Sequence, residues 1–256
     1  MIPAKPPGPQ GPRQISLGER AMSEHFEART LYDIPLEFDA DRLMRQAHVE
    51  PGSDDAIVFS RLVDIARMTA RPKAVFRECF VTGRHDGIVE IEGIRFASSV
   101  LARNLEKTDR VFAYVATCGA EMDEAAPRHS DPVQDYWWDM LKAVALAASV
   151  RFLSDFLVTR YGLGRAASMA PGSGDASVWP VEQQKQLFCL IGDIERLINV
   201  RLTESCLMIP NKSVSGMKFQ TERDFRTCQL CRRQTCPNRM APFDRNLWNA
   251  FHGLAP

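Results

Sequence analysis

V-R-L-T-E-S-C-L-M-I-P-N-K-S-V-S-G, residues Val200–Gly216, is the stretch from which the fold is best read. Its first half reads as a strand, with Val200, Leu202 and Glu204 on one face of a period-2 pattern. Pro210-Asn211 breaks it, because Pro fixes φ and Asn tolerates left-handed backbone. The chain then re-enters an extended run, with Ser213 and Ser215 on one side and Gly216 closing it. Two hydroxyls beside bare backbone suit a flat, polar ligand that approaches the main chain. A sheet-edge hairpin with small residues for packing fits the same spacing.

Upstream, Pro180 to about Leu197 reads as a helix. Leu187, Phe188, Leu190, Ile191, Ile194 and Leu197 are its apolar positions, and Pro180 suits its first turn. Before it lies Ser168–Trp179, S-M-A-P-G-S-G-D-A-S-V-W. Gly, Ser and Pro in that density expose backbone N–H and C=O groups without side-chain obstruction. By composition alone the segment is equally a plain connecting loop.

Two segments carry a resemblance. Thr203-Glu204-Ser205-x-x-Met208-x-Pro210-x-x-Ser213-Val214-Ser215-Gly216 resembles the T-E-S-x-A-M-x-P-x-x-S-V-S-G segment of the activation domain of cobalamin-dependent methionine synthase. Ala170-Pro171-Gly172, followed by Trp179-Pro180 and Lys185, resembles that domain's R-P-A-P-G-Y loop and the helix start behind it. Together they cover roughly residues 168–219, in the family's order. The resemblance implies a helmet-like sheet surrounded by helices. It also implies binding of S-adenosylmethionine and delivery of its methyl to reduced cobalamin, rescuing cofactor oxidised to cob(II)alamin. The residues it implies for ligand contact are Ala170, Pro171, Gly172, Ser173 and Gly174 in the loop. Glu204, Ser213, Ser215 and Gly216 complete the set.

Departures from the family pattern are equally specific. Its loop arginine and tyrosine are Ser168 and Ser173 here. A guanidinium is the natural bidentate partner of the methionyl carboxylate. Arg165 is the nearest substitute in sequence; otherwise the site binds adenosylmethionine weakly or not at all. No D-x-H-x-x-G motif surrounds any of the five histidines, so a corrinoid has to come from another chain.

The tail carries a second signal. Cys228, Cys231 and Cys236 form C-x₂-C-x₄-C, followed by Pro237. Two thiolates at x₂ spacing chelate one centre from a tight turn, and a third stands close behind. Arg223, Arg226, Arg232, Arg233 and Arg239 surround them and favour thiolate. The spacing suits a [4Fe–4S] cluster that hands an electron to cob(II)alamin. Zinc is the alternative, with Cys118, Cys206 or a histidine as fourth ligand.

The remaining chain sets bounds. Its 256 residues suffice for one large domain with appendages. Basic and acidic residues number 32 each, so charge steers the chain neither to nucleic acid nor to an anionic membrane. Apolar runs such as Ala143–Val150 are too short to span a bilayer. The first residues, MIPAKPPGPQGPRQ, show no signal-peptide h-region. Seven unevenly spaced cysteines point to cytosolic thiols or metal ligands, hence a cytoplasmic protein.

In order, the expected elements begin with a strand at Leu31–Phe38 and a helix from Asp39 or Asp41 through His48. A helix from Ser53 or Asp54 to about Ala70 follows, stopped by Pro72. Ala74–Val81 and Ile88–Ile94 read as a hairpin with His85 at its loop tip. A helix over 98–106 precedes the buried strand Val111–Thr117, and another starts near Ala120. Thr117-Cys118-Gly119 sits where ligands commonly bind in α/β folds, although a small buried cysteine in a tight turn explains it better. Asp131-Pro132 opens the longest helix, to 161, which Gly162 and Gly164 stop. In its Tyr136-Trp137-Trp138 cluster one ring has to meet solvent or a partner.

These readings give one α+β domain with a mixed, mainly antiparallel sheet. An extended or disordered N-terminal arm over 1–28 precedes the domain at 29–221, and a Cys-rich extension occupies 222–256. The function expected is activation or reactivation of a cobalamin-dependent methyltransferase, methionine synthase foremost. The partners would be a corrinoid-carrying protein and an electron donor such as a ferredoxin. A non-catalytic docking module and a subunit of a split methionine synthase are the alternatives.

Overall fold

The computed structural model describes residues 27–127, 131–175, 177–222, 225–236 and 239–252. The expected arm therefore lies, up to residue 26, outside the described residues. Among the described residues nine strands appear: β1 Arg29–Leu31, β2 Lys73–His85, β3 Ile88–Ile91, β4 Ile94–Ala97, β5 Arg110–Thr117, β6 Ala166–Met169, β7 Arg201–Leu202, β8 Met208–Ile209 and β9 Ser213–Gln220. The helices are α1 Ala40–Gln46, α2 Asp54–Thr69, α3 Ser99–Asn104, α4 Glu121–Glu124, α5 Pro132–Tyr161, α6 Gln184–Ile191, α7 Ile194–Ile198 and α8 Arg245–His252. Seven strands form one sheet in the order β4-β3-β2-β5-β9-β6, with β1 also on β2. Every pairing described is antiparallel.

Alternation sorts β5 into two faces, since successive side chains point to opposite sides. Val111, Ala113 and Val115 join a core with α6 and α7, which takes in Leu187, Leu190, Ile194 and Trp179. Phe112, Tyr114 and Ala116 face Leu153 and Leu157 of α5. A third cluster joins α2 to the N-terminal half of α5 through Phe59, Leu62, Trp137 and Leu141. Helix α5 starts and stops as its ends dictate. Asp131 accepts from the Val133 N–H at 2.9 Å, Pro132 occupies the first turn, and Gly162 closes it at φ 63°. Trp137 and Trp138 are buried and Tyr136 is exposed, as the crowded aromatic run requires.

Several expected elements are reshaped. Leu31–Phe38 is a strand only to Leu31; Pro35 has no N–H for a ladder and Asp33 adopts φ 51°. The second hairpin arm divides into β3 and β4 at Glu92-Gly93, both at positive φ. The helix expected over 180–197 begins as a 3₁₀ turn, Val181–Gln183, and breaks after α6. Gly192 there takes φ 110°, and Asp193 caps α7 by accepting from the Arg196 N–H at 3.2 Å. Among the described residues no helix is long and apolar enough to cross a membrane.

Cys118 fills the turn after β5, as its small side chain allows, and like Cys79 it is fully buried. Burial pushes both thiols up to about 12, so neither supplies thiolate at neutral pH. Cys189 is exposed. A maleimide added to native protein at neutral pH should label Cys189 first and leave Cys79 and Cys118 intact until denaturant is added. Labelling of Cys118 at the rate of Cys189, read by peptide mass spectrometry, would contradict this packing.

Candidate functional site

The Gly-rich loop leaves the sheet at the end of β6 and is tightly held. The Gly172 N–H donates to the Trp179 carbonyl at 2.8 Å, and the Ser173 N–H to that of Ala170 at 3.1 Å. Gly172 takes φ +75°, a conformation that disfavours side chains, and a Cβ there would lie 3.0 Å from Val181. Behind the loop, Trp179 is fully buried, edge-on to Phe96 at 6.0 Å. Gln183 brackets Ala97: its Oε1 accepts from the Ala97 N–H at 2.8 Å and its Nε2 donates to the carbonyl at 2.7 Å. Ser98 donates from Oγ to the Val178 carbonyl at 2.6 Å. The loop is thus pinned to the β4–α3 junction, and its Ala170–Gly174 tip sits on a rigid base.

Strand β9 is interior, between β5 and β6, and not a sheet-edge hairpin arm. The turn of the preceding ribbon, β7–β8, spans Thr203–Leu207, where the Thr203 N–H donates to the Leu207 carbonyl at 2.8 Å. Pro210, joined to Ile209 by a cis peptide, leads from the ribbon into β9. Glu204 stands exposed at the ribbon tip, and no hydrogen bond or ion pair among the described residues joins it to the loop. Ser213 and Ser215 do share a face, but it is the inner one. Ser215 is buried opposite Val115, and Ser213 donates to Thr117 Oγ1 at 2.9 Å and to the Pro210 carbonyl at 2.8 Å.

The opposite face of β9 carries Val214, Gly216 and Lys218. Register pairs Gly216 with Tyr114, and Lys218 with Phe112 on one side and Ser168 on the other. Tyr114 and Ser168 hydroxyls are 3.0 Å apart, and Lys218 Nζ lies 5.6 Å from the Tyr114 ring centre. Burial raises the Tyr114 pKa and the Ser168 bond partly opposes it, so the phenol stays protonated. Sequence reasoning missed Tyr114 and Lys218. Continuing the alternation from Gly216 would have found the lysine. Arg165, the expected substitute cation, is turned away and donates to the Glu222 carbonyl at 3.2 Å.

The Cys-rich tail folds over this loop. Thr227–Leu230 forms a 3₁₀ turn whose Leu230 is fully buried in the α6–α7 core beside Phe225. A Cβ on Gly174 would lie 2.9 Å from Thr227 Cγ2, so the loop glycine allows that approach. Arg232 donates from Nε and Nη2 to Asp175 Oδ2, at 3.1 and 3.0 Å, and its guanidinium lies 4.7 Å from the Trp248 ring centre.

The metal centre expected at Cys228, Cys231 and Cys236 is not assembled. Among the described residues no three His, Cys, Asp or Glu side chains converge to hold an ion. Cys118 and Cys206, the expected fourth ligands, are each buried elsewhere. Arg239 organises the tail instead, donating to the carbonyls of Cys228 at 3.3 Å, Cys231 at 3.2 Å and Ala241 at 3.1 Å, and to that of Arg233. The residues present do not fit a cluster, so no chemistry is assigned to one.

Two clefts lie apart from the loop. One of about 470 Å³ is lined by Arg103, Lys107, Asp109, Arg110 and Glu222, at the far end of β9. The other, about 610 Å³, lies between Leu36, Arg42 and Phe152.

Residues 164–235 match the family model for the vitamin B12 dependent methionine synthase activation domain. The matched stretch runs from the start of β6 through the loop, ribbon and β9 into the tail. A crystal structure of the MetH reactivation domain bound to AdoHcy shares the fold. It aligns with TM-score 0.52 and 16% identity over 79% of this chain and 81% of that one. No curated protein matches significantly. Family match and shared fold both agree with the resemblance read from the motifs.

Asp175 sets a pH limit on the tail contact. Burial pushes its carboxyl up, but the Ser177 N–H, the Arg232 guanidinium and the Ser177 hydroxyl together hold it below the usual aspartate range. A depressed folded pKa means that the stabilisation is present at neutral pH and is lost as acid protonates Asp175. Arg232→Ala should therefore speed amide hydrogen exchange over residues 225–231 at neutral pH. Because Arg232 is largely exposed, global stability should fall by less than about 1 kcal/mol. Acid below the aspartate range should produce the same local opening in the unaltered chain. Unchanged exchange in Arg232→Ala would mean that the clamp does not hold the tail.

Proposed function

We propose that this chain is an activation component for a cobalamin-dependent methyltransferase, with methionine synthase as its client. It holds S-adenosylmethionine along Ala170–Gly174 and the adjoining β9, and presents the sulfonium methyl to cob(I)alamin on another chain. The observation that carries this reading is the pairing of β6 with β9, which sets the two family motif segments side by side. The loop offers a ligand exposed backbone at the positive-φ glycines Gly172 and Gly174.

The corrinoid supplies the nucleophile, and S-adenosylhomocysteine is the leaving product. AdoHcy is also the ligand bound by the solved reactivation domain. The chain's own task is to fix the sulfonium beside the partner's corrinoid and to exclude water there. The electron that converts cob(II)alamin to cob(I)alamin comes from a separate donor, of ferredoxin type, and no step passes through the tail thiols. A place as one subunit of a split methionine synthase is compatible with this chemistry.

A second reading, a docking module without methyl transfer, is favoured by the tail. Thr227 and Arg232 lie on the loop that would hold the ligand, and Ser168 and Ser173 replace the family's arginine and tyrosine. Mixing the full chain with a cob(II)alamin methyltransferase, reductant and S-adenosylmethionine separates the two. The activation reading expects the methylcobalamin spectrum to return faster than in a control without the chain. A stable complex on gel filtration with no spectral change would instead establish the docking reading.

A further inference from the structure

The family's loop arginine is absent, and Arg165 points to Glu222, yet the seam still holds a cation. Lys218 is the cross-strand partner of Ser168 in the β6–β9 ladder. Directly opposed residues in an antiparallel pair share a face, with Cβ atoms about 5 Å apart. The lysine thus stands on the sheet face that carries Ser168, with Gly216 two residues earlier on the same strand. It is half-buried, with Nζ 5.6 Å from the centre of the Tyr114 ring.

The other lysines near the sheet have acidic partners. Lys73 is 2.6 Å from Glu121, Lys142 is 2.6 Å from Asp123 and Lys212 is 2.8 Å from Asp139. Among the described residues no carboxylate and no hydrogen-bond acceptor engages Lys218 Nζ. Burial alone pushes its pKa down from the ordinary lysine value. An ammonium that is partly desolvated and lacks an anion loses solvation without recovering it from a partner. The Tyr114 ring returns only part of that through a single cation–π contact. Two hydroxyls, Tyr114 and Ser168, lie beside it as hydrogen-bond donors of the kind a carboxylate accepts.

We propose that Lys218, with Tyr114 and Ser168, anchors the carboxylate of an amino-acid-bearing ligand, supplying from β9 the cation that position 168 lacks. This rests on the adenosylmethionine reading above and specifies how its methionyl end is held. The backbone at Gly216 adjoins this anchor on the same strand. A side chain there would project to within 3.1 Å of the Tyr114 hydroxyl oxygen and 2.6 Å of the Met169 carbonyl oxygen. Lysine binds as a point charge and does not reproduce the two-pronged geometry of an arginine.

Calorimetry on the full chain tests this with two ligands, S-adenosylmethionine and its decarboxylated form, which keeps the sulfonium, nucleoside and amine. Unaltered protein should prefer the carboxylate-bearing ligand. Lys218→Met should weaken S-adenosylmethionine on the order of tenfold or more, as expected for losing a charged hydrogen bond. It should leave the decarboxylated ligand unchanged, and Lys218→Arg should retain most of the affinity. Circular dichroism of both variants checks that they fold. If the unaltered chain binds S-adenosylmethionine and Lys218→Met binds it equally well, or loses both ligands alike, the anchor is wrong while the site stands. If the unaltered chain binds neither ligand, the site reading fails and takes the anchor with it.

Discussion

One backbone approach governs the arrangement: β6 and β9 run so close at Gly216 that no side chain fits between them. A Cβ there would lie 2.6 Å from the Met169 carbonyl oxygen, where real Cβ atoms essentially never sit. Since Met169 is the last residue of β6, pushing it away would also move the loop that begins at Ala170. The closeness of the strands is what places the loop beside β9. In the same contact the Tyr114 hydroxyl, 3.1 Å from that position, meets Ser168. Glycine at 216 is therefore required by packing, and its backbone is buried against Met169 and Tyr114.

Both ends of β9 are fixed by other means. At its start, Lys142 of α5 donates to Asp123 at 2.6 Å and to Asn211 at 2.7 Å, while Lys212 pairs with Asp139 of α5 at 2.8 Å. These contacts tie the turn before β9 to the longest helix. Partly buried pairs of this kind specify one geometry more than they add stability, because desolvation offsets much of their attraction. On the inner face, Met217 and Phe219 lock the strand into the α6–α7 core. The tail adds Phe225 and Leu230 to that core, so it closes over the loop through apolar burial as well as through Arg232. The seam is thereby flanked by packed structure on each side.

Much of this was legible in the sequence, and the rest was not for identifiable reasons. Helix α5 declared both ends through Asp131-Pro132 and Gly162, because caps are local chemistry. Helix α2 declared its start at Ser53 in the same way. The helix expected over 180–197 hid its break, since a glycine is tolerated inside a helix and only the φ of 110° at Gly192 reveals the interruption. Period-2 reasoning placed Ser213 and Ser215 on one face correctly. Which face is open depends on what packs against the strand, and that is tertiary information. Lys218 was missed because the family motif ends at Gly216, and Arg165 was favoured because it is nearer to Ser168 in sequence. The tail cysteines have the spacing of a metal site, but spacing does not show where thiols point; Arg239 occupies the organising role through carbonyls.

The central claim is that adenosylmethionine lies on the seam between β6 and β9. Ultraviolet cross-linking of radiolabelled S-adenosylmethionine to the full chain, followed by peptide mapping, tests it directly. The account predicts saturable label confined to peptides covering residues 166–175 and 213–220, competed away by S-adenosylhomocysteine. Label in the cleft lined by Arg103 and Lys107, or no saturable label at all, would contradict it.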